Sequence, residues 1–118
     1  MAAAQYNITI EQGVTFEIEF TLKTIENVAL DITGYDFQGE IRNSTDNYET
    51  VVGTFAFLIS NASEGIVKMT MSPAVTSAIP ALPTLKWDFL GKDQLDKVYR
   101  YLTGNVAVVD TITDTTFD

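Results

Sequence analysis

The chain has 118 residues, 46% of them hydrophobic, with sixteen acidic and seven basic side chains giving a net charge of −9, and it contains no cysteine and no histidine. Its length suits one core, burying about 65% of the unfolded surface, and its seven Phe, five Tyr and one Trp exclude a disordered chain, which lacks the apolar groups that offset ordering entropy. The acidic field repels phosphate backbones and anionic headgroups, the missing cysteine removes disulfide frameworks and thiolate metal sites, and the missing histidine removes the commonest general base and every Ser-His pair.

Met1–Tyr6 has neither a basic stretch nor an apolar one, so a signal peptide is not expected and folding in a cytoplasm is. No apolar run approaches the roughly 18 residues of a spanning helix. From Tyr6 onward period-2 alternation dominates the chain, as a strand with one buried face requires. Tyr6, Ile8 and Ile10 alternate with polar residues, Gln12-Gly13 reads as a turn, and Phe16, Ile18, Phe20 and Leu22 form the clearest strand. After a polar connection, Leu30–Gly34 reads as a turn in which Asp31 and Thr33 bond nearby backbone. A third strand places Tyr35, Phe37, Gly39 and Ile41 on one face.

Asn43–Asn47 is a polar loop. Thr50–Ser60 reads as one strand with Phe55, Phe57 and Ile59 on one face and both faces covered. Ile66–Met71 buries Val67, Met69 and Met71. Ser72-Pro73 then announces a helix of about two turns, serine capping its first N–H groups and proline at a position with no intrahelical partner. Pro80 and Pro83 close it. Leu85, Trp87 and Phe89 share a strand face, and a long last strand runs from Lys97 to about Val109, where Gly104 signals a bulge or a close backbone approach.

Seven strands separated by polar turns at roughly 8 to 15 residues are the pattern of an all-β, two-sheet Greek-key (immunoglobulin-like) β-sandwich with one short helix; a single barrel is the alternative. One domain is expected over 1–118, with a short N-terminal arm (1–5) and a tail (110–118) that forms either a partner-completed strand or a frayed end.

No catalytic, cofactor or metal site is expected. Glu17 and Glu19 share a strand face about 7 Å apart, a spacing that carboxylate-pair hydrolases use, but strand alternation makes them a solvated face. Asp31, Asp36, Asp46, Asp93, Asp96, Asp110 and Asp114 are oxygen donors without a calcium-loop spacing. Asn7, Asn43 and Asn61 each begin an N-x-[ST] triplet, a coincidence outside a secretory context. Trp87 reads as core, and Tyr99 with Tyr101 as a weak carbohydrate-stacking candidate. Because Val98, Arg100 and Leu102 occupy the other face, that strand is expected at a subunit contact.

Tyr6–Phe16, with its E-Q-G-x-T-F piece, Leu30–Tyr35 with L-x-x-T-G-Y, and Gly65–Ser72 leading into a helix occur in an order that resembles small β-sandwich proteins of tailed-bacteriophage virions, the type seen in the N-terminal domain of phage upper baseplate proteins. Trp87-Asp88-Phe89 and Gly104–Val108 stand where that family has an aromatic strand and a G-x-V-x-V strand. The resemblance covers about residues 5 to 110. It implies a non-enzymatic virion structural protein of the tail, baseplate or an adaptor, homo-oligomeric and in contact with other phage structural proteins. Members of that type often continue into a receptor-binding region, whereas this sequence ends at Asp118, so a small accessory, adaptor or cement subunit is expected. A capsid decoration protein and a carbohydrate-binding module are the alternative functions.

Overall fold

Alternation becomes two facing sheets in the computed structural model, which describes residues 4–112. The strands are β1 (Ala4–Gln5), β2 (Ile8–Glu11), β3 (Phe16–Thr21), β4 (Asp36–Asn43), β5 (Val51–Thr54), β6 (Ala56–Asn61), β7 (Ile66–Met71), β8 (Leu85–Lys92) and β9 (Val98–Val109), with helix α1 (Pro73–Ser77) between β7 and β8. One layer runs β5-β4-β8-β9, with β1 and β2 both along the free side of β9; the other runs β3-β7-β6. Every pairing is antiparallel except those of β1 and β2, which lie parallel to β9. The chain is an all-β sandwich with one short helix.

The layers meet through the apolar faces that alternation marked. Val67, Met69 and Met71 of β7 are buried against Ile41, Leu85, Trp87 and Phe89 of the facing sheet. Phe89 is the hub of an aromatic cluster, stacked on Phe57 at 5.0 Å between ring centres and flanked by Phe37 at 5.4 Å and Phe20 at 5.6 Å. Such pairs each add about 0.5–1.5 kcal/mol beyond their burial. At one end α1 is clasped to the β2–β3 turn: Thr76 Oγ1 donates to the Val14 carbonyl at 2.9 Å and Gln12 Nε2 to the Ile79 carbonyl at 2.7 Å. The expected Ser72 cap is in place, its hydroxyl accepting from the Val75 N–H.

One expectation is corrected and two others are sharpened. The run 50–60 is two strands, because at Phe55 the chain leaves the edge of β4 and joins the edge of β7. Phe55 is 4% exposed and donates its N–H to the Gly39 carbonyl, while Thr54, Ala56 and Leu58 face solvent, so only one side of this segment is covered. The arm is in part a strand, since Ala4 and Gln5 pair with Leu102 and Thr103; residues 1–3 lie outside the described residues. The bulge of the last strand falls at Tyr101, where pairing steps from Phe89–Leu102 to Leu90–Arg100. That extra residue lets Tyr101 and Leu102 both pack on the core. Of the tail, Asp110–Ile112 are in no strand and 113–118, with Asp114, lie outside the described residues.

Candidate interaction surface

Glu17 and Glu19 project from β3, the edge of the three-stranded sheet, onto its exposed outer face. Glu17 pairs with Lys68 of β7 at 3.1 Å, an exposed ion pair of the kind worth at most about 1 kcal/mol. Both carboxylates are exposed on this face.

Three of the aspartates are spent on turns. Asp31 accepts from the Thr33 hydroxyl at 2.6 Å and its N–H at 3.0 Å, which holds its pKa below the usual carboxylate value. Asp93 accepts from the N–H groups of Leu95 and Lys97, and bonds from Thr50 and Glu49 hold Asp46 low. Asp31 and Asp93 line one shallow depression of about 320 Å³ with Thr33, Tyr35, Gln94 and Leu95. Among the described residues no three metal-binding side chains converge.

The asparagines of the three triplets also have structural work. Asn7 Oδ1 accepts from the Asn105 N–H at 3.0 Å. Asn43 Oδ1 caps the turn at Thr45 and receives the Thr84 hydroxyl at 2.7 Å, and Asn61 accepts from Ser63. Trp87 is 2% exposed. Its indole N–H donates to the Tyr6 carbonyl at 2.8 Å. Tyr101 packs on Phe89 at 5.8 Å at the flank of the core, and Tyr99 lies beside Tyr101.

Two surfaces went unmarked by motif reasoning. The first is the outer face of the larger sheet, where register aligns Arg42 with Lys86 and Asn105, Glu40 with Asp88 and Thr103, and Leu90 with Arg100. With Lys92, this gathers four of the seven basic residues. Arg42 grips Glu40 at 2.8 Å and the Tyr48 carbonyl at 2.8 Å, fixing the loop before β5. Arg42, Asp88, Arg100 and Tyr48 surround a depression of about 380 Å³. Burial raises the pKa of Asp88, with Arg100 and Arg42 opposing and Glu40 adding to the rise. Alternation shows which residues face outward, but only the register brings them side by side.

The second surface is the free edge of β6, whose residues Ala56–Asn61 include no charge and no proline. Leu58 is 62% exposed there. No protein-family model matches the chain, and no curated protein matches it.

Proposed function

We propose that this chain is a non-enzymatic structural subunit of a tailed-phage virion, a tail, baseplate or adaptor component assembled in several copies through contacts with itself and with other structural proteins in the host cytoplasm. The observation that carries the assembly reading is the unguarded edge of β6. Open edges present unpaired N–H and C=O groups, and soluble proteins blunt them with charge, proline or a cover; a subunit that joins partners by strand addition keeps one open. The phage setting rests on the resemblance over residues 5 to 110. Its E-Q-G-x-T-F piece forms the β2–β3 turn, where Gly13 has φ +77°, and its L-x-x-T-G-Y piece forms the crossing into β4, where Gly34 has φ +80°. These are positions at which glycine serves the backbone.

The test is mass spectrometry of purified particles followed by electron microscopy with a label on this subunit. Several copies per particle, with label on the tail or baseplate, are expected. Label on the head moves the subunit to a decoration role, and particles lacking the chain overturn the reading.

A further inference from the structure

We infer that β6 pairs antiparallel with β6 of a second copy, joining two three-stranded sheets into one sheet of six strands. The inference rests on the assembly reading above and names its edge and its partner.

The sandwich offers a second copy four edges, and charge decides among them. Pairing at β3 would set Glu17 and Glu19 of each copy on adjacent strands, about 5 Å apart, and like charges directly opposite are destabilising. The β1–β2 edge is interrupted at Tyr6-Asn7 and ends in Glu11. The β5 edge is broken by a bulge at Val52, so no regular stretch there exceeds two residues. At β6, by contrast, Ala56–Ile59 form an uncharged stretch whose free side is unpaired among the described residues.

The bulge at Ser60 ends the regular part of that strand, and a register centred on Phe57 keeps the pairing within it. Phe57 meets Phe57 across the two-fold axis, Ala56 meets Leu58, and the two Leu58 side chains lie diagonally across the axis. Phe57 and Ile59, half-buried at the rim of the core, gain cover. In the joined sheet the two β3 strands lie at opposite ends, about 24 Å apart, well beyond the Debye length of about 8 Å at physiological salt. The pairing therefore keeps Glu17 and Glu19 of the two copies apart, which matters for a chain of net charge −9.

Sedimentation equilibrium of the full chain tests this with Leu58→Lys, Leu58→Glu, their equimolar mixture, and Glu19→Lys as the control on the opposite edge. Because Leu58 is 62% exposed, circular dichroism is expected to show both variants folded. Each charged variant alone should self-associate about tenfold more weakly than wild type, the mixture should recover association, and the control should be unchanged. Hydrogen exchange on the wild type, which needs no variant, should show protection of the Ala56–Ile59 amides that rises with protein concentration. A wild type that stays monomeric to about 1 mM, or charged variants that associate as wild type does, overturn the pairing. Particles that incorporate Leu58→Lys at normal copy number overturn the pairing alone, whereas particles lacking the chain overturn the assembly reading alone.

Discussion

The Tyr6 carbonyl oxygen occupies the space that a side chain on Gly104 would fill: a Cβ built there would lie 2.1 Å from that oxygen. The same oxygen accepts the Trp87 indole N–H. One carbonyl thus ties the first strand, the core tryptophan and the middle of β9 together, at the point where β1 gives way to β2. Gly104→Ala should displace Tyr6, break the indole bond and cost about 3 kcal/mol, measured by urea denaturation. Trp87→Phe removes the same bond from the other side, so the two losses should sum to more than the double variant shows. Additive losses would mean that the two residues act on separate parts of the fold.

Thr76 is the one buried polar side chain among the described residues, fully enclosed and donating to Val14. Thr76→Val keeps the shape and removes the donor. It should destabilise the chain by about 1–3 kcal/mol, with hydrogen exchange rising first in α1 and the β2–β3 turn. A global change with no local increase would argue against the clasp.

Burial pushes the Tyr101 phenol up to about 12, with Tyr35, Tyr99 and Asp93 adding to the rise; Tyr35 is also raised, chiefly by burial. The unfolded chain loses these protons near pH 10 while the native chain still holds them. Stability is therefore full below pH 10 and falls as pH rises from about 10 toward 12. Tyrosinate absorbance should show Tyr101 ionising late and together with unfolding, and Tyr101→Phe should flatten the fall.

For Asp88 the raised pKa has the opposite reading from a salt-bridged carboxylate. Between the ordinary value near 3.8 and the raised one, the native chain holds more protons than the unfolded, so this residue's penalty appears as pH rises through that window and is complete above it. Asp88→Asn should raise stability at pH 7 by about 0.5 kcal/mol, small because water still reaches the site. The gain should shrink below pH 4 in paired thermal melts. Equal stability of the two chains at pH 7 would contradict the burial argument.

The strand faces were legible because each depends only on neighbours in sequence: Val67, Met69 and Met71 bury as their spacing requires, and so do Leu85, Trp87 and Phe89. The switch of sheets at Phe55 was not, because Thr54 and Ala56 look alike on either side and the change is one of partner. Parallel pairing of β2 with β9 was equally hidden, since it joins Ile8 to Val106 and nothing local marks so distant a partner. Gly104 gave a true signal of close approach, and the bulge it also suggested belongs to Tyr101, a residue with no sequence mark of irregularity. The charged outer face and the bare β6 edge required register and strand order, which alternation alone does not supply.

The parallel ladder of β1 and β2 on β9 also has a mechanical side. Ala4 lies beside Leu102 and Glu11 beside Val109, so the described chain begins at one end of the ladder and leaves at the other. A pull on the two ends slides these strands lengthwise and loads their hydrogen bonds in shear, all together, where a hairpin pulled from its open end would peel one bond at a time. Unfolding by force should thus begin with a single high rupture, and Gly104→Ala, by loosening the joint at Tyr6, should lower it.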